Sequence, residues 1–182
     1  MDSMTFLLFG ATGDLAKRKI YPALYKLFSN QNIPQSISII GIGRRVMSDV
    51  EFQTKVEQSL ATFSRVSTDD ESGVEEFIST FRYCQLDKAN IEDYQDLLSL
   101  VKRRETELNI PKNRMFYLSV VPEVFDVIAL NIKESGLWAT KGLNRLIIEK
   151  PFGHSLKSVR ELNTKLIKDF DETDIYCIDH YL

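Results

Sequence analysis

Nowhere in these 182 residues does an apolar run approach the ~18 that a membrane-spanning helix needs, so no membrane segment is expected. There is no excess of positive charge either. Lys and Arg number 23 against 26 Asp and Glu, and a formal net charge of −3 removes the broad electrostatic case for nucleic acid. The amino terminus, MDSMTFLLFGATGD, opens on Asp2 and not on basic residues, so it does not read as a secretory signal. Cysteine is scarce: Cys84 in FRYCQL and Cys177 in DIYCID are the only two. No CxxC or HxxxH spacing suggests a metal. Both cysteines lie in strand-like apolar runs and read as buried free thiols of a cytosolic protein. Internal repeats and low-complexity segments are absent. What is present is 43% hydrophobic and 27% charged residues, the profile of a soluble globular protein, in a length that suits one domain with a substantial core.

Six short apolar runs read as strands: Met4–Phe9, Ile37–Ile42, Phe81–Leu86, Met115–Val121, Leu143–Ile148 and Ile175–Ile178. Helical patterns lie between them. PALYKLF carries Ala23, Leu24, Leu27 and Phe28 on one face, with Pro22 expected in a first turn, where its missing N–H costs nothing. Ser48 with Glu51 reads as a capping box before Phe52, Val56, Leu60 and Phe63, and Ser72 with Glu75 reads as a second box. Residues 65–73 read as a loop. A helix over 90–108 carries Tyr94, Leu97, Leu98 and Val101 on one side, and another ends at Gly136. A last one aligns Leu156, Val159, Leu162 and Leu166. Strands alternating with helices predict an α/β fold: a Rossmann-like, doubly wound, mostly parallel six-stranded sheet with helices on both faces. In such sheets ligands bind outside the carboxyl ends of the strands, where the strand order reverses.

The residues at those ends are polar or unusual. The turn after the first strand reads G-A-T-G-D-L-A, Gly10 to Ala16. The common dinucleotide fingerprint is GxGxxG/A, and here its middle glycine is missing. Gly10 permits a tight turn, Gly13 a close approach of pyrophosphate, and Ala16 close helix packing. A helix starting near Asp14 would aim unpaired N–H groups at the anion. The alternative is an ordinary strand-to-helix turn. After the second strand the sequence reads GIGRR, with no Asp or Glu to accept ribose hydroxyls. Arg44 or Arg45 can instead hold a 2′-phosphate, with Lys17, Arg18 and Lys19 adding charge, which favours NADP over NAD. The alternative is a pair of solvated surface arginines, and Arg44 follows Gly10 at more than the ~20 residues of the usual fingerprint. In IIEKPFGHSL a strand delivers Lys150 directly before Pro151, which biases Lys150 toward extended geometry. Held there, Lys150 can bond a substrate hydroxyl or a coenzyme carbonyl; a plain surface lysine is the alternative. IDHYL places Asp179, His180 and Tyr181 after what reads as a buried strand, with His180 able to bind phosphate or exchange protons. His154 reads as a loop or capping residue.

GATGDLAKRKIYPALYKLF, IIGIGRR, RLIIEKPFGHSL and IYCIDHYL occur in this order. Together they resemble the glucose-6-phosphate dehydrogenase family over the whole chain. EKPFG and IDHYL carry the most specific part of that resemblance. It implies oxidation of glucose 6-phosphate at C1 to the 6-phosphogluconolactone with hydride transfer to NADP, the entry to the oxidative pentose phosphate pathway. It also implies a cytoplasmic enzyme that forms homodimers or tetramers.

By the same resemblance Gly10, Ala11, Thr12, Gly13, Asp14 and Leu15 form the coenzyme turn, and Lys19 and Arg44 hold coenzyme phosphates. Asp87 and Lys88 lie near the adenosine side, and Pro122 borders the nicotinamide end. Lys150 touches both coenzyme and sugar. His180 and Tyr181 bind the sugar phosphate, and Asp179 orients the catalytic base. The family motif continues past DHYL with a Gly-Lys-Glu segment, and the family places its general-base histidine in a second, larger domain. The 182 residues are therefore expected to form the NADP-binding domain alone, competent to bind but not to turn over, since loss of a general base costs ~10²–10⁴-fold. A free-standing dinucleotide-binding module without catalysis is the alternative from another class. A different NADP-dependent sugar oxidoreductase is a third reading, which IDHYL disfavours.

Overall fold

The computed structural model describes residues 2–65, 67, 69–149 and 155–178. Its strands are β1 (Thr5–Phe9), β2 (Ser38–Gly43), β3 (Phe81–Gln85), β4 (Arg114–Leu118), β5 (Asn144–Glu149) and β6 (Ile175–Ile178). They form one six-stranded sheet in the order β3-β2-β1-β4-β5-β6, and every pairing is parallel. Six helices connect them: α1 (Tyr21–Ser29), α2 (Asp49–Phe63), α3 (Glu71–Ser79), α4 (Ile91–Glu107), α5 (Phe125–Glu134) and α6 (Leu156–Asp169). The expected doubly wound α/β architecture is what the chain adopts, with the order reversing between β1 and β4.

Strand alternation divides the core. Phe6, Leu8, Ile39 and Phe81 meet α1, α2 and α3 on one face, while Leu7, Phe9, Ile40, Phe116 and Leu146 meet α4, α5 and α6 on the other. All five residues of β1 are buried, as a continuous apolar run in a central parallel strand requires. β6 departs from expectation. It is the edge strand, half-covered, and Tyr176 and Cys177 are exposed. Edge strands lack a neighbour on one side, so a short apolar run there is only partly buried. Cys84 is likewise only partly buried, though burial still pushes its thiol up to about 11.

Helix starts follow local hydrogen bonding. Ser48 and Glu51 form the expected reciprocal box on α2. The second expected box does not form. α3 starts at Glu71, with the Asp70 carboxylate accepting from Gly73 N–H at 3.2 Å, so Ser72 already lies inside the helix and the loop is shorter than residues 65–73. Aspartate caps as well as serine does, and it stands earlier in the chain. α5 stops at Gly136 (φ +87°), as expected. On α6, Leu162 and Leu166 are buried as expected, but Leu156 is 78% exposed.

Pro22 is the second residue of α1, as expected, but helical structure does not begin there. The chain is already helical from Asp14, and Ala16–Ile20 form a π-turn in which Tyr21 N–H reaches the Ala16 carbonyl. In that register the Lys17 carbonyl would take its bond from residue 22, which is proline and has no N–H. The buried hydroxyl of Ser59, on α2, donates to this carbonyl instead. Ser59→Ala should therefore destabilise the domain by about 1–3 kcal/mol in urea unfolding. Adding Pro22→Ala should recover part of the loss, because residue 22 then supplies its own N–H. A Ser59→Ala variant as stable as the parent would contradict this account.

Candidate functional site

A crevice of about 370 Å³ opens at the carboxyl ends of β1, β2 and β4, where the strand order reverses. Its rim is the glycine turn. Gly10 and Ala11 both donate to the Ile42 carbonyl at 3.1 Å, and Gly13 N–H closes on the Gly10 carbonyl at 3.0 Å. Gly10 has φ +84°, and an added Cβ would stand 1.9 Å from the Ser119 carbonyl oxygen. Only glycine lets β1 leave the sheet here while β4 passes so close. The floor is apolar: Phe9, Ile42, Leu86 and Ile128 are buried beneath it, and Val120, Val121 and Val124 border it.

Arg44 stands on the opposite wall, exposed, and no carboxylate of the described residues pairs with it. Two side chains from β3 fix its backbone. Gln85 Nε2 donates to the Arg44 carbonyl at 3.3 Å, and Tyr83 Oη donates to the Arg45 carbonyl at 2.7 Å. Burial holds the Tyr83 phenol above its ordinary range, so it remains a donor. No acidic residue ends β2, which closes on Gly43 and leads into Arg44 and Arg45.

Of the residues expected from sequence, Gly10, Thr12, Gly13, Arg44 and Lys88 line this crevice. Others are near but differently employed. Ala11 is buried, and Leu15 packs on the α1–α3 core. Asp14 pairs with Arg18 at 2.9 Å, and that guanidinium lies over the Phe63 ring, so its charge is engaged on the helix surface. Lys19 borders a second, apolar cavity against Ile20, Leu24 and Met115 on the opposite face of the sheet, away from Arg44. The helix that carries it packs on that face through Ala16, Ile20, Tyr21 and Leu24. Asp87 builds its own turn, its carboxylate accepting from Ala89 N–H at 2.9 Å. Pro122 opens a short 3₁₀ segment (Pro122–Val124), whose neighbours Val121 and Val124 reach the crevice. Lys150, Asp179, His180 and Tyr181, with Pro151 and His154, lie outside the described residues. The strands leading to them end at Glu149 and Ile178, which pair in register, and the Glu149 carboxylate accepts from Tyr117 Oη.

Sequence reasoning missed the valine border, because β4 was expected to run to Val121. The strand ends at Leu118; Ser119 N–H donates to the Phe9 carbonyl at 2.9 Å, and the chain then turns into the proline-led 3₁₀ segment. It also missed Tyr21, whose buried hydroxyl donates to the Ala11 carbonyl. The YP pair at 21–22 was the available signal.

Comparison with known proteins agrees with this fold. Residues 7–182 match the family model described as glucose-6-phosphate dehydrogenase, NAD binding domain. The glucose-6-phosphate 1-dehydrogenase of Bacillus subtilis is 43% identical over 176 residues, covering 97% of this chain and 35% of its own length. That of Leuconostoc mesenteroides is 40% identical over 174 residues, covering 96% and 35%. A solved structure of glucose-6-phosphate dehydrogenase in complex with its substrate glucose-6-phosphate superposes with a TM-score of 0.90 at 34% identity, over 99% of this chain and 37% of that one. The chain thus spans about a third of the length of these relatives. It belongs to the glucose-6-phosphate dehydrogenase family and is that family's NAD-binding domain.

Proposed function

We propose that the crevice binds NADP in preference to NAD, and that in the full-length enzyme this domain serves the oxidation of glucose 6-phosphate at C1 to its lactone. The observation that carries the coenzyme choice is Arg44: an exposed guanidinium, unpaired among the described residues, stands where an NAD site needs a carboxylate. The cradle fits a dinucleotide. The turn leaves room for backbone approach at Gly13, where an added Cβ would meet only the Gly10 carbonyl, at 3.2 Å. In this reading Thr12 and Gly13 face the pyrophosphate, Arg44 holds the 2′-phosphate through charge-assisted bonds, and the valine border excludes water beside the nicotinamide. NADP, when bound, supplies the hydride acceptor. Lys150 is assigned to orient the sugar and coenzyme, Asp179 to orient the catalytic base, and His180 and Tyr181 to bind the sugar phosphate. The substrate named for the solved relative supports this assignment. Within these 182 residues we assign coenzyme binding; turnover we assign to the full-length enzyme.

Calorimetric titration tests the coenzyme choice. Arg44→Ala should weaken NADP binding by about 1–3 kcal/mol and leave NAD binding nearly unchanged. Equal affinity of the parent chain for NADP and NAD would remove the role given to Arg44.

A further inference from the structure

We infer that Tyr21 is a positioning residue for the coenzyme turn, setting the direction of the Thr12 N–H from the far side of the sheet. This rests on the dinucleotide reading of the crevice. Tyr21 is 2% exposed, and its ring is wedged edge-on between Phe52 and Phe81, with centroids at 6.2 and 5.8 Å and interplanar angles of 74° and 75°. Its only course is toward the turn, and there its hydroxyl donates to the Ala11 carbonyl. Burial raises the phenol far above its ordinary range, so the donor proton is retained at any pH at which the domain is used.

The consequence follows from peptide geometry. In a planar trans peptide the C=O of Ala11 and the N–H of Thr12 point in opposite directions. Tyr21, Phe52 and Ala11 belong to the core on the α1–α3 face, whereas the crevice is floored by Phe9, Ile42, Leu86 and Ile128 of the other face. A carbonyl drawn toward Tyr21 therefore turns the Thr12 N–H toward the crevice, which Thr12 lines. Among the described residues that N–H has no acceptor, while Gly10, Ala11 and Gly13 all spend theirs within the fold. Thr12 is thus an available donor for an anion, beside the N–H groups of the helix's first turn, and Tyr21 holds it ready before ligand arrives.

Two ligands separate this role from a merely structural one. NADP carries the pyrophosphate; adenosine 2′-monophosphate carries the 2′-phosphate without it. Tyr21→Phe keeps the ring packing and removes the hydroxyl, and should weaken NADP about tenfold while leaving adenosine 2′-monophosphate within about twofold. Equal losses for both ligands, or no loss for either, would overturn the role. A parent chain that binds neither would instead overturn the dinucleotide reading itself. A measurement on the unaltered chain covers the case of a variant that does not fold. In an amide NMR titration with inorganic pyrophosphate, Thr12 should be among the most shifted resonances; an unmoved Thr12 amide would overturn the inference.

Discussion

Gly10→Ala should lower the stability of the domain by about 2–5 kcal/mol and abolish NADP binding by the part that stays folded. Two costs add. A left-handed φ of +84° is unfavourable for alanine, and the new Cβ would stand 1.9 Å from the Ser119 oxygen and 2.8 Å from its carbonyl carbon. Both are backbone atoms, so no rotamer change relieves the clash. β1 and β4 would have to separate at the mouth of the crevice, breaking the Ser119 N–H bond to Phe9. Gly13→Ala is the informative contrast. Gly13 is exposed and lacks a positive φ, so its stability change should stay below about 1 kcal/mol. Its methyl group, however, would stand where the proposed pyrophosphate approaches, and NADP affinity should fall at least about tenfold. Urea unfolding and calorimetry on both variants give the result. A stable Gly10→Ala, or a Gly13→Ala that binds like the parent, would contradict the division of labour between the two glycines.

The turn was legible in part. The spacing of Gly10 and Gly13 after an apolar run pointed to it, and Arg44 in place of an acidic residue is the basis of the coenzyme proposed above. Strand and helix order followed from β-branched runs alternating with amphipathic ones, and the six strand positions agree with the structure to within a few residues. What sequence could not show was phase and partnership. Lys19 stands among three consecutive cations beside the glycine turn, yet it lies in a π-turn whose helix packs on the other face of the sheet. Nothing in the residue types announces a π-turn except the proline that follows. Asp70 displaced Ser72 as the cap because both residues suit that position and only packing chooses between them. The edge location of β6, and with it the exposure of Cys177, depends on strand order, which no local pattern encodes. Tyr21 drew no reading of its own; its bond to Ala11 joins residues ten apart, whose meeting depends on how the helix follows the turn.

The largest stability effect away from the crevice should come from a buried ion pair at the opposite end of β4. Arg114 opens that strand and Glu105 lies in α4; their side chains are only 2% and 4% exposed. The contact is bidentate, Nε to Oε1 at 2.8 Å and Nη2 to Oε2 at 3.1 Å, and Nη1 donates to the Leu137 carbonyl at 2.8 Å. Removing the carboxylate by Glu105→Ala leaves a guanidinium in the core with one neutral acceptor, which should cost about 3–5 kcal/mol. For a domain with ~5–15 kcal/mol in total, that brings unfolding close to ambient conditions. Replacing both partners, Glu105→Leu with Arg114→Met, removes the stranded charge and should recover most of the loss. NADP affinity of the folded double variant should stay within about twofold of the parent, because the pair sits at the amino end of β4 and the crevice at its carboxyl end. Urea unfolding of the three chains, with calorimetry on the double variant, decides the matter. A Glu105→Ala chain as stable as the parent would show that water reaches Arg114, and a double variant that folds but no longer binds NADP would show that the two ends of β4 are coupled.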